Sequence, residues 1–581
     1  MNFLRNLIAA ILGFFIAIFL LFFLFAGVAA MAGSDDPVVV EANSILELDL
    51  SSPIKDYAPK DENPIAQALE LDNEKLSLDK IINAIENAKT DTNIKGISIN
   101  TGLVGAGMAQ TQAIRNKLEE FKETGKFIYA YNDIYTQKNY YLSSVADSIF
   151  LNPVGAIEFN GLSSEILYYK DFEDKYGIKM EVVRHGKYKS AVEPYLTNTM
   201  STENREQITS FLKSIWSEVL EDISKSRKVS VENLNTLADN SEGRNATTAK
   251  NAKLIDEAIY VDEYEAKLEN AAAIKPNMIT LEDYIKSGKG RISSTAKNKI
   301  AVIYAQGEII YGKGDENFIG QGIINKAIKK ARKDKNVKAI VLRVNSPGGS
   351  ALASELIWRE LELTKTEKPI VVSMGNVAAS GGYYIASNAN KIVAEPTTIT
   401  GSIGVFGAIP NVHSFANNIG INAEQVSTNN SANYSLFEPM NQKFYDLTKE
   451  GVEDIYETFV NRVADGRKMS FEDVNEIAQG RVWTGKEALE NGLVDKLGSL
   501  NDAVELAAEL AAIENYRVRS YPSYKKDFKD ALNSFPFIRS QKETILKEAL
   551  GAENYRLFNT VNNLKNNKGI QAKMPFVIDI K

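Results

Sequence analysis

Residues 371–386 read VVSMGNVAASGGYYIA. The β-branched pair Val371–Val372 opens an apolar run suited to a buried strand. Small residues and glycines then gather around Ser380, and Tyr383, Tyr384 and Ile385 start an apolar helical pattern. A serine at such a strand-to-helix turn has two physical uses. It can cap the helix, its oxygen accepting from an N–H of the first turn. It can instead stand its hydroxyl at the mouth of a sheet, beside the unpaired N–H groups of a helix start, which suit an anion. Gly381 and Gly382 leave room for a second backbone. The stretch alone leaves both uses open.

Just upstream, Ala339–Val344 reads as a strand, SPGGS (Ser346–Ser350) as a turn and Leu352–Leu363 as a helix. Strands alternating with helices predict an α/β fold with largely parallel sheets, in which ligands sit above the carboxyl ends of the strands. Two neighbouring strand ends, one bearing SPGG and the other Ser380, suit a nucleophile facing backbone oxyanion donors. They also suit two tight turns that need glycine for their own backbone. Gly102–Gln110, GLVGAGMAQ, half-matches a dinucleotide fingerprint, a weak signal by itself.

That second glycine stretch is explained by a repeat. LDKIINAIENAKTDTNIKGISIN from Leu78 parallels IINKAIKKARKDKNVKAIVLRVN from Ile323. The pairs Ala88/Ala331, Asp91/Asp334, Asn93/Asn336, Lys95/Lys338 and Tyr140/Tyr383 are each 243 positions apart. A repeat this long is a whole domain, not a solenoid unit. The expected organisation is a first domain over 44–287, a polar joint near Gly288–Lys299 (GKGRISSTAKNK) and a second domain over 298–513. A lysine-rich tail, 514–581, with helical pieces around Ile545–Val561, shows no chemistry of its own. Gly102–Gln110 falls where the second half has SPGGS, as a relic of the same turn.

Ahead of the domains, 1–36 carries an apolar run from Leu7 to Val28 with no charge between Arg5 and Asp35. That is long enough for a membrane core of about 30 Å. The expectation is an uncleaved anchor, although Ala30-Met31-Ala32 resembles a cleavage site. With Arg5 inside and Asp35–Asp36 outside, the remaining chain is expected beyond the membrane.

Composition narrows the chemistry. The 581 residues carry a net charge of −8, which argues against nucleic-acid partners. Cysteine is absent, so thiolate metal sites and cysteine nucleophiles are excluded. The two histidines, His185 and His413, are too few for an ordinary zinc site, and a loop or hydrogen-bonded role suits each. A serine enzyme built this way needs a different base, and a lysine can serve only as the neutral amine. KYKSAVEPYL (Lys187–Leu196) offers one, but spacing does not single out Lys189 among 67 lysines and arginines.

Taken together, YKSAVEPY (Tyr188–Tyr195), VNSPGGS (Val344–Ser350), MGNVAASGGYY (Met374–Tyr384), TGSIGVFG (Thr400–Gly407) and AQGRVWTGKEALENGLVDKLG (Ala478–Gly498) resemble the signal peptide peptidase A family in its long, tandem-repeat form. The likeness covers nearly all of the chain except the tail. It implies two Clp-protease/crotonase-like domains behind a transmembrane helix, with Ser380 as nucleophile and Lys189 as general base. Ser402 would hydrogen-bond the lysine amine, and Gly348, Gly349 and Gly381 are the oxyanion candidates. It further implies cleavage of remnant signal peptides without cofactor or metal, by a homotetramer on the outer face of a bacterial inner membrane. The halves look complementary, since Gln137 stands where the second half has Ser380, and Tyr434 lies near the counterpart of Lys189. Rival readings are a crotonase-like acyl-CoA enzyme and a catalytically dead membrane scaffold.

Overall fold

The computed structural model describes residues 2–32, 38–59, 76–429, 434–524 and 571–573. The expected tail helix around Ile545–Val561 and the acidic pair Asp35–Asp36 lie outside these residues.

In the first half the strands are β1 (Ser44–Leu48), β2 (Ile94–Ile99), β3 (Phe127–Tyr135), β4 (Ser148–Ile157), β5 (Lys179–Arg184), β6 (Glu257–Ala258) and β7 (Asn277–Thr280). The second half begins with β8 (Lys299–Gln306), β9 (Glu308–Ile310), β10 (Phe318–Gly320), β11 (Val337–Ser346) and β12 (Gly348–Ser350). It continues with β13 (Ile370–Ala379), β14 (Lys391–Ala394), β15 (Ile399–Gly401), β16 (Phe406–Asn411), β17 (Val482–Thr484), β18 (Lys496–Leu497) and β19 (Arg517–Tyr521). β20 (Gln571–Lys573) is the tail's described strand.

The repeat is visible as topology. One sheet runs β6-β4-β3-β2-β1-β7, and the second half repeats that order as β18-β14-β13-β11-β8-β19, in parallel pairings throughout. Parallel sheets bury both faces under crossover helices, which explains the continuous apolar runs. β1 lies inside its sheet between β2 and β7, and Ile45, Leu46 and Leu48 are all fully buried. The covering helices repeat side chain by side chain. Helix Leu78–Thr90 buries Ile81, Ala84, Ile85 and Ala88, and helix Gln321–Lys333 buries Ile324, Ala327, Ile328 and Ala331, each 243 positions on. This is the i, i+3, i+4, i+7 stripe of an amphipathic helix on a sheet.

A third sheet, β10-β9-β12-β20-β16-β5, joins the halves. First-half β5 pairs antiparallel with second-half β16, from Arg184 opposite Phe406 to Lys179 opposite Asn411. Asp56 of the first half and Arg343 of the second form a buried ion pair, Nε to Oδ2 at 3.0 Å, and Gln110 Nε2 donates to the same carboxylate at 2.8 Å.

The N-terminal run is helical over Asn2–Ala32. Many side chains within it are outside the description, and among the described residues no helix is long and apolar enough to cross a membrane. The expected transmembrane helix is not shown.

Candidate active site

β13 ends at Ala379, and the next residue, Ser380, turns the chain into helix Gly381–Ala386. The turn is sharp. Ser380 sits at φ 54°, ψ −116°, a conformation that a side chain rarely tolerates and that clusters at functional turns. Its N–H donates to Gly401 O at 2.8 Å, which fixes the turn against β15. The serine oxygen makes no cap bond to the helix, so the capping use of this serine is set aside.

Lys189 reaches this turn from the other half. β5 delivers the chain to the second half, and His185 N–H then donates to Val405 O and Tyr188 N–H to Gln479 O. The lysine follows, threaded between two glycines. A methyl on Gly480 would meet Lys189 Cβ at 2.7 Å, and one on Gly404 would meet Lys189 Cδ at 3.2 Å. Its amine lies 2.8 Å from Ser380 Oγ, 3.0 Å from Ser402 Oγ and 3.1 Å from Ser402 O. Lys189, Ser380 and Ser402 are all fully buried. Burial holds the Lys189 amine well below the usual lysine range, because the charged form loses its hydration. A neutral amine in hydrogen-bond contact with a serine oxygen can accept the hydroxyl proton. Lys187, two residues earlier, is exposed, with its ammonium over the Tyr188 ring.

The glycines of SPGGS form β12, not a free turn. Gly348 and Gly349 have φ of 98° and 149°, and a methyl on Gly349 would meet Ile309 O at 2.1 Å, so both positions require glycine. A methyl built on Gly348 would lie 2.8 Å from Gly381 N, which brings the three oxyanion candidates to one corner beside Ser380. Gly348 N–H also has Ser346 Oγ at 3.2 Å.

The remaining sequence candidates lie elsewhere. His185 Nδ1 contacts Glu453 Oε2 at 2.5 Å with the ring stacked on Tyr456, and His413 contacts Phe437 O and Asn417. Gln137, at the position matching Ser380, staples its own loop by accepting from the N–H groups of Asn160 and Gly161. Tyr434 donates to Pro410 O. Sequence reasoning missed Gly404 and Gly480 as the walls of the lysine tunnel. The positive φ of Gly480, 81°, leaves no trace in composition, although Gly480 stands between the polar residues Gln479 and Arg481.

The profile of peptidase family S49 matches this chain twice, over 120–275 and 362–514. "Protease 4" of Haemophilus influenzae is 38% identical over 450 residues, 75% of this chain and 73% of its own length. "Serine protease SPPA, chloroplastic" of Arabidopsis thaliana is 34% identical over 452 residues, 76% of this chain and 67% of its own. A solved structure, a point mutant of ClpP1 from Listeria monocytogenes, aligns with 35% of this chain and 94% of its own at 15% identity. Its TM-score of 0.24 is too slight to bear on the fold.

Proposed function

This chain is a serine peptidase of family S49, and from that premise we propose that Ser380 and Lys189 are its nucleophile and general base, acting on signal peptides already released from secreted proteins. The observation carrying the proposal is the 2.8 Å approach of a wholly buried lysine amine to the hydroxyl of a serine held at positive φ. Neutral Lys189 takes the Ser380 proton, and Oγ attacks the peptide carbonyl. Backbone N–H groups at Gly349 and Gly381 would receive the oxyanion as it forms, joined by that of Gly348 if it leaves Ser346 Oγ. The lysinium then protonates the leaving amine, and water hydrolyses the ester. Ser402 is a positioning residue, since its hydroxyl and carbonyl oxygens fix where the amine points.

The membrane is part of the same proposal. The uncharged run from Leu7 to Val28 would hold the chain at the outer face of a bacterial inner membrane, near peptides left in the bilayer, as a homotetramer. Extraction of the full chain by detergent but not by alkaline carbonate, and the mass of the extracted particle, test the anchor and the subunit number.

For the chemistry, the test is peptide cleavage by the full chain. Lys189→Ala and Ser380→Ala are each expected to lower kcat by about 10⁴-fold or more, while Lys187→Ala cleaves as the parent does. Loss of activity in Lys187→Ala with Lys189→Ala unaffected would assign the base elsewhere.

A further inference from the structure

A three-residue strand of the chain's own tail lies beside the candidate oxyanion glycines. β20 lies between β12 and β16, antiparallel to both, with Lys573 opposite Gly348, Ala572 opposite Gly349 and Gln571 opposite both Ser350 and Phe406. Insertion of an extended strand between two edges is how backbone hydrogen bonds hold a peptide while alternate side chains enter subsites. The register places one carbonyl at the candidate oxyanion corner. A methyl on Gly348 would meet Ala572 O at 2.2 Å, and one on Gly381 would meet it at 3.0 Å. With its carbonyl beside these two glycines, the Ala572–Lys573 bond is a guide to where a bond under attack would lie, and the small Ala572 side chain is buried.

The next residue meets a carboxylate. Lys573 Nζ lies 2.9 Å from Glu308 Oε2 at the start of β9, with the two side chains 33% and 19% exposed. The second oxygen, Oε1, is buried and has no hydrogen-bond partner among the described residues. A half-buried carboxylate with an unused acceptor has room for the two-pronged grip of an arginine as well as a lysine.

We infer that Glu308 is a specificity-determining residue of the cleft, selecting a lysine or arginine directly after the small residue whose carbonyl faces Gly348 and Gly381. This rests on the dyad proposed above, because the position is defined by the bond that Ser380 attacks. Glu308 takes no part in the bond change. It holds the first residue of the leaving fragment and so places the bond.

The test uses the full chain and three matched fluorogenic peptides with Ala followed by Lys, Gln or Glu. The parent is expected to cleave the Ala-Lys peptide about tenfold faster in kcat/KM than the Ala-Gln peptide. In Glu308→Gln that ratio falls to about one, and in Glu308→Lys the Ala-Glu peptide becomes the best of the three, a gain that a misfolded protein cannot produce. No preference in the parent, or a Lys preference that survives both substitutions, overturns the inference while leaving the dyad standing. If Ser380→Ala cleaves all three peptides as the parent does, the failure lies with the dyad instead.

Discussion

Lys189 enters the site by its aliphatic stem, and among the described residues its amine meets hydroxyl and carbonyl oxygens of Ser380 and Ser402 and forms no ion pair. Burial alone sets its proton affinity, so the sign of its pH effects is fixed. In the proposed dyad the free amine is the working form, so kcat/KM should rise as pH climbs through the lowered lysine pKa and then level. A rate that is flat from about pH 5 to 9 would contradict a lysine base. Stability follows the same linkage. Between the lowered native pKa and the unfolded value near 10.5, the unfolded chain binds more protons at this residue. Its contribution to stability therefore grows with pH across that window and is lost as pH falls through the native pKa. Lys189→Met removes the ionisable group and keeps the stem. At neutral pH it should unfold at higher denaturant, by about 0.5–2 kcal/mol, while losing all cleavage. Urea titration alongside the peptide assay checks both halves of that expectation.

At the scale of elements, what the sequence revealed and what it hid have physical reasons. The strand Ile370–Ala379, its turn and the helix after it were legible because period, β-branching and small residues all act locally. The repeat was legible because its core helices keep their buried stripe in register over 243 positions. The third sheet was not. Its members are short, β9, β10, β12 and β20 having three residues each, and it draws on both halves and the tail. Strands of that length carry no usable alternation. For the same reason the tail gave no sign that three of its residues join the third sheet. Lys189 could be chosen only through a family likeness, since a base is defined by what surrounds it and not by its neighbours in sequence. The tunnel glycines make a sharp prediction here. Gly480→Ala forces a side chain onto positive φ and against Lys189, which should cost about 1–3 kcal/mol in stability. It should also lower kcat more than it raises KM, and steady-state kinetics separates the two.

Over the whole molecule, duplication has become division of labour. Each half keeps the same sheet order, yet the first offers Gln137 as a loop staple where the second offers Ser380, and only the first supplies the lysine. The site exists only while the halves stay docked, and the buried Asp56–Arg343 pair is one of the contacts that dock them. Arg343 also donates to Ser373 Oγ and Met374 O on β13, the strand that ends beside Ser380. Asp56→Ala leaves that guanidinium buried without its partner and should cost about 3–5 kcal/mol. Unfolding monitored by denaturant should show the loss, and activity should fall with the folded fraction. The proposed dyad has residues 191 positions apart sharing one proton in one crevice. It is tested most directly by labelling the full chain with a fluorophosphonate and locating the adduct by peptide mass. One adduct is predicted, on Ser380, at a rate that collapses in Lys189→Ala. An adduct on another serine, or undiminished labelling of Ser380 without the lysine, would contradict it.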